Sequence, residues 1–152
     1  VTDETYTADQ IRRMERRVLG VLGYDAFAAT ARWFLEWIVN ALDMSMSSST
    51  VQLATYLVDS HLLSSAMLAH RKSVITVSAV WIAIRSTGCT TTTWEDLERV
   101  TGIKKEDIVD ATAALKSCMA TIDEFDQAKS MYEKFSAPEL HNVANLQLAD
   151  SE

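Results

Sequence analysis

Residues 3–25 read DETYTADQIRRMERRVLGVLGYD, and both ends of a helix are written into that stretch. Thr7 and Gln10 form an S/T-x-x-E/Q pair, the spacing at which two side chains satisfy the orphan amides of a helix start. Ile11, Met14, Val18, Val21 and Leu22 then recur at three- and four-residue steps, which predicts one apolar stripe along a helix. Gly23 is a natural stop. Arg12, Arg13, Arg16 and Arg17 fall at i, i+1, i+4 and i+5, so they project together from another side, where they can clamp carboxylates or phosphates. The plainer reading of the same arginines is a solvated helix face, partly neutralised by Asp9 and Glu15.

Helical periodicity continues downstream. Trp33, Phe34, Trp37, Ile38 and Ala41 or Leu42 predict a second stripe, ended by the polar run from Asp43 to Thr50. Ser49 with Gln52 reads as another capping pair, opening a third helix over Val51, Ala54, Leu57, Val58, Leu62 and Leu63. Ser73 to Arg85 is apolar on nearly all sides. Its β-branched Val74, Ile75, Thr76 and Val77 also suit a strand, but its length favours a central buried helix. Thr92 with Glu95 predicts a cap for a short helix over Trp94, Leu97 and Val100 that ends at Gly102. Ile108, Ala111, Leu115, Cys118, Met119 and Ile122 predict a helix from Lys104 to Thr121. Beyond Asp123 the pattern fades into a partial helix at Phe125, Ala128, Met131, Tyr132 and Phe135, then a break at Pro138 and an extended strap. All four tryptophans fall on these stripes and are expected to pack in the core.

Composition agrees with an all-α domain. The chain has 152 residues with 48% hydrophobic side chains, enough to bury roughly 70% of the surface its unfolded form exposes without disulfides or metal. Only four glycines and one proline argue against turn-rich β folds and low-complexity sequence. Two cysteines without CxxC spacing make no disulfide framework, which points to a reducing, intracellular setting. Val74 to Ile84, the most apolar run, falls far short of the roughly 20 residues of a membrane span. The acidic, polar start VTDETYTADQ does not resemble an export signal.

Charge is unevenly placed. Acids and bases balance over residues 1–93, so the whole net charge of −7 lies beyond them, which disfavours nucleic acid and anionic lipid at that end. An acidic protein partner suits the arginine cluster better, because neither interleaved aromatics nor a flexible basic extension accompanies it. Enzyme chemistry finds no foothold: His61, His70 and His141 are scattered without ligand spacing, and four glycines build neither GxGxxG nor a Walker loop. No catalytic residue, metal or cofactor is predicted.

Taken together, these residues resemble the mitotic (A- or B-type) cyclins. The opening string is similar to the last helix of their N-terminal cyclin box, with Asp3, Tyr6, Thr7, Met14, Glu15 and Leu22 the most distinctive matches. Phe34 and Leu35, LATYL at 53–57, Leu62 and Leu63, Ser73 to Ala83, and Gly102, Ile103 and Ile108 follow the second box. Lys134, Phe135 and Val143 are similar to the tail motif. The departures are Lys72 where the family usually has Pro, Lys104 in place of a Thr cap, and YDAFAAT in place of FDL-x-x-PT.

The resemblance implies an all-α fold, a five-helix cyclin box preceded by one extra amphipathic helix. It divides the chain into residues 1–23, the last helix of the N-terminal box; 24–122, the C-terminal box; and 123–152, a helix and extended tail. It further implies a non-catalytic regulatory subunit, part of a longer cyclin, that binds and activates a cyclin-dependent Ser/Thr kinase in nucleus or cytoplasm. Tyr6, Arg12, Arg13, Arg16 and Arg17 are the candidate partner-interface residues, since the kinase-facing part of this chain would run into and along helix Thr7 to Leu22. The alternative is a cyclin-fold interaction or nucleic-acid module like those of general transcription factors. Without the rest of the first box, the stripe of Ile11, Met14, Val18 and Val21 is expected to fold back onto the second box or to pair with another copy.

Overall fold

A computed structural model describes residues 5–122 and 128–149. They form α1 (Ala8–Val21), α2 (Ala31–Ala41), α3 (Ser49–Ser60), α4 (Lys72–Thr87), α5 (Trp94–Thr101), α6 (Val109–Ala120) and α7 (Lys129–Phe135). Short 3-10 turns lie at His61–Leu63, Ser65–Ala69, Lys105–Ile108, Pro138–Leu140 and Val143–Asn145. No strand occurs among the described residues. The protein is all-α, as its sequence predicts.

The rivalry between strand and helix at Val74 to Ile84 is settled by burial on every side. Val74 through Val80 and Ile82 through Ile84 are all buried, and α4 packs against α2, α3, α5 and α6. Within a helix, the backbone polar groups of such a segment satisfy one another. Its hydroxyls fold back as well: buried Ser78 donates to the Val74 carbonyl at 2.9 Å and half-buried Thr87 to that of Ala83 at 2.8 Å, so they leave water without loss. The Thr76 hydroxyl lies 2.8 Å from the Lys72 carbonyl and 3.0 Å from that of Ala31, tying the start of α2 to α4. Gly88, at φ 66°, takes the left-handed conformation that ends α4.

α3 runs antiparallel to α4, and both ends of the pair are pinned by polar contacts. At one end the hydroxyls of Thr50 and Thr87 lie 2.8 Å apart; the Thr87 hydrogen is engaged with Ala83, so Thr50 is the donor. At the other, Nδ1 of buried His61 meets the Val58 carbonyl and Nε2 lies 3.3 Å from the Lys72 ammonium. Nδ1 must therefore carry the proton and Nε2 accept from Lys72. Between these pins, Leu53, Leu57, Ile75 and Val80 are buried, as are Leu35 on α2, Leu97 on α5 and Leu115 on α6. Each such side chain contributes about 1.5–3 kcal/mol by leaving water.

Several details differ from the sequence reading. The caps sit one residue from the predicted positions: Ser48 caps α3, and Thr93 with Asp96 forms the box of α5. In the run TTTTWED both Thr92 with Glu95 and Thr93 with Asp96 set a hydroxyl three positions ahead of a carboxylate, and tertiary placement selects between them; Thr92 is instead buried. Lys104 to Thr121 divides into the Lys105–Ile108 turn and α6. Leu62 is 75% exposed, because the chain leaves α3 through a 3-10 turn that buries His61 in its stead. The extended strap holds two 3-10 turns, fastened by buried Val143 and by Leu148 on the core, while Phe135 packs on Tyr56 with ring centroids 5.0 Å apart. Phe125 lies outside the described residues.

The tryptophans require the largest correction. The core face of α2 is Ala31, Leu35, Ile38 and Val39, and Trp33 and Trp37 point outward at 44% and 42% exposure. Both stripes have helical spacing. The aliphatic one wins because Ala31 allows close approach to α4, where Thr76 reaches its carbonyl. Trp81 and Trp94 are half-buried.

Candidate partner interface

The predicted interface residues all lie in or just before α1. The Thr7 hydroxyl accepts from the Gln10 amide at 3.3 Å and the Gln10 side chain accepts from the Thr7 amide at 2.8 Å. This reciprocal cap fixes the helix start and places Tyr6, 60% exposed, immediately ahead of it. The helix then presents two unlike faces. Ile11, Met14 and Val18 form an apolar stripe, and Arg12, Arg13, Arg16 and Arg17 spread over the side away from it.

No residue of α1 is buried. Ile11, Met14, Val18 and Val21 are 47%, 59%, 48% and 83% exposed, so the stripe does not fold back onto the helices that follow. The physical reason lies in the link. Val21 and Leu22 lead into Gly23 and Tyr24, both at positive φ, which turns the chain away, and α4 already has α2, α3, α5 and α6 around it.

Electrostatically the arginine face is open. Arg12 donates to Asp9 at 3.4 Å in a solvent-exposed pair, a contact worth about 0–1 kcal/mol. Arg13, Arg16 and Arg17 make no ion pair among the described residues. Guanidinium groups in this state offer paired donors to carboxylates or phosphates. A groove along the helix is lined by the apolar Tyr6, Ile11, Met14, Val18 and Leu19 and bordered by Gln10, Arg13, Glu15 and Arg17, a form of surface that an amphipathic partner element covers. The structure thus brings Tyr6 and the four arginines onto one helix and its approach.

A second exposed surface was missed in the sequence. Phe27, 73% exposed, meets Trp33 edge-on with centroids 6.3 Å apart, and Trp33 meets Phe34 at 5.2 Å. The signal that could have exposed it was the second stripe on α2, Ala31 with Leu35, Ile38 and Val39.

The cysteines sit in contrasting settings. Burial pushes the Cys118 thiol up, and its Sγ–H donates to the Ser60 carbonyl at 3.6 Å. Burial raises Cys89 as well, but hydrogen bonds from the side chain and backbone of Thr91, with help from Thr92, outweigh it and hold the thiol below its ordinary value. The described residues contain no group of three His, Cys, Asp or Glu side chains able to share a metal ion, and no described helix is long and apolar enough to cross a membrane.

Comparison with known proteins adds the following. The family described as "Cyclin, C-terminal domain" matches residues 29–149. Cyclin-A2-4 of Arabidopsis thaliana is 30% identical over 120 residues, covering 76% of this chain and 26% of the relative. The G2/mitotic-specific cyclin-A of Spisula solidissima is 28% identical over 148 residues, covering 95% of this chain and 34% of the relative. Cyclin-A2-1 of Oryza sativa subsp. japonica is 28% identical over 150 residues, 96% of this chain and 30% of the relative. The chain therefore spans about a third or less of the length of these relatives.

Proposed function

The chain belongs to the cyclin family through its C-terminal domain, and from that premise we propose that it serves a cell-cycle cyclin of the mitotic A type, a non-catalytic regulatory subunit that binds and activates a cyclin-dependent Ser/Thr kinase. The match over residues 29–149 is the observation that carries this reading. In it, residues 1–23 are the last helix of the N-terminal cyclin box, 24–122 the C-terminal box and 123–152 the tail. Tyr6, Arg12, Arg13, Arg16 and Arg17 lie on the partner side, and the protein works in the nucleus or cytoplasm.

Activation of this kind is a population shift. A regulatory subunit that contacts the active arrangement of a kinase more favourably than the inactive one moves the equilibrium by that difference. The longer protein supplies most of the kinase contact, so this chain alone binds kinase weakly or not at all. Capture of a cyclin-dependent kinase by the full-length protein, with phosphorylation of a generic substrate measured, tests the reading. A tight complex without activation overturns the activator role.

The exposed stripe of α1 is an apolar face that water does not favour. In the isolated chain it pairs with a second copy. Light scattering on the native chain and on Met14→Glu checks this; a native monomer at micromolar concentration refutes it. A nucleic-acid role would instead show as duplex binding that weakens steeply with salt and is lost when the four arginines become Ala, an outcome that the acidic second half of the chain opposes.

A further inference from the structure

At the far end of α4, a cleft between α4, α5 and the Lys105–Ile108 turn carries groups that the cyclin reading does not use. Trp81 and Trp94 meet edge-to-face with centroids 5.3 Å apart. The Arg85 guanidinium and the Lys105 ammonium each stand 5.9 Å from the Trp81 ring. Both cations are exposed, and neither makes an ion pair with a described residue. Gly88 borders the cleft, and a side chain added there would meet open space.

Two cations about one indole concentrate positive charge there, and the aromatic ring offsets it only in part. Two of the carboxylates nearby are otherwise engaged. Glu98 accepts from the Trp94 indole at 2.9 Å. Asp96 is shared between Arg99 and the cap of α5. Glu95 borders the cleft, but its carboxyl is held low first by its own backbone amide and the Thr93 hydroxyl, with Lys105 contributing least. The Trp81 indole N–H donates to no described residue, which leaves a hydrogen-bond donor beside the two cations.

We propose that the Trp81–Trp94 cleft is a docking site for an acidic peptide segment, whose carboxylates pair with Arg85 and Lys105 while a neighbouring apolar side chain packs on the indoles. Charge complementarity selects this occupant: Arg85 and Lys105 are exposed and without an ion-pair partner among the described residues, a local attraction for carboxylates set against the protein's net charge of −7. Aromatic side chains supply the contact area that makes such a site selective for an apolar neighbour.

The test uses the full chain and a fluorescein-labelled peptide of alternating Glu and Leu, with a matched peptide carrying Gln for Glu. Fluorescence anisotropy is expected to show saturable binding of the Glu peptide alone, weakened by salt. The double variant R85Q/K105Q, which changes only exposed side chains, is expected to lose at least tenfold in affinity. Arg99→Gln, outside the cleft, is expected to bind as the native chain does. Equal binding by R85Q/K105Q, equal binding of the Gln peptide, or a duplex oligonucleotide occupying the site in place of the peptide would each overturn the proposal. None of these outcomes depends on kinase activation, so the cleft and the cyclin role fail or stand separately.

Discussion

Truncating a leucine on α2 should unfold the protein more readily than altering a tryptophan two residues away on the opposite face, and this ordering tests the orientation on which the core rests. Leu35 is fully buried, and Leu→Ala at such a site costs 2–5 kcal/mol through lost transfer energy and the cavity left behind. With neighbours on α4 that cannot easily collapse, about 3 kcal/mol is expected for Leu35→Ala. Trp37 is 42% exposed, so its truncation forfeits roughly half of the 3–5 kcal/mol that a buried tryptophan costs. Trp37→Gln, which keeps part of the contact along the helix, should then cost about 1 kcal/mol. Urea unfolding followed by far-UV circular dichroism avoids reading the altered tryptophan itself. With a slope of about 1–3 kcal/mol per molar urea for a domain of this class, Leu35→Ala should move the midpoint down by about 1.5 M and Trp37→Gln by about 0.5 M. If Trp37→Gln proves the costlier of the two, α2 is rotated and the assignment of Leu35 and Ile38 to the core is wrong.

Three further outcomes follow from single groups. Cys89 has its thiol pKa lowered and Cys118 raised, so at any pH below both values Cys89 holds the larger thiolate fraction; iodoacetamide with mass mapping at neutral pH should label it at least tenfold faster, with rates rising as pH climbs. Gly88→Ala places a Cβ in open space but at φ 66°, so only backbone strain is added, and a stability loss of about 1 kcal/mol in thermal unfolding is expected; a gain would contradict the left-handed cap. Thr93→Ala removes the hydroxyl that accepts from the Asp96 amide and should cost about 1 kcal/mol, whereas Thr92→Ser, predicted by sequence to touch the cap, should leave the α5 amides protected in hydrogen exchange.

Much of this was legible from the chain itself where local chemistry decides. Thr7 and Gln10 are close in sequence and bond across three residues, so their cap needs no tertiary partner. Val74 to Ile84 has too many apolar sides for a surface element. The ambiguity of TTTTWED and of the two stripes on α2 was of another sort, since each alternative satisfied the same local rule. Surroundings chose between them: Thr92 is buried, and Thr76 reaches the Ala31 carbonyl.

The candidate interface divides in the same way. That Arg12, Arg13, Arg16 and Arg17 share one side of a helix follows from 3.6 residues per turn alone. That Arg85 and Lys105, from separate elements, converge on one indole is a long-range fact that no periodicity carries. The exposure of Ile11, Met14 and Val18 likewise depended on where Gly23 and Tyr24 turn the chain. Sequence alone determined the helices and their caps wherever neighbours along the chain supply the partner. Only the tertiary structure decided which stripe faces inward and which charges meet, because burial is shared among elements distant in sequence and no single helix carries it.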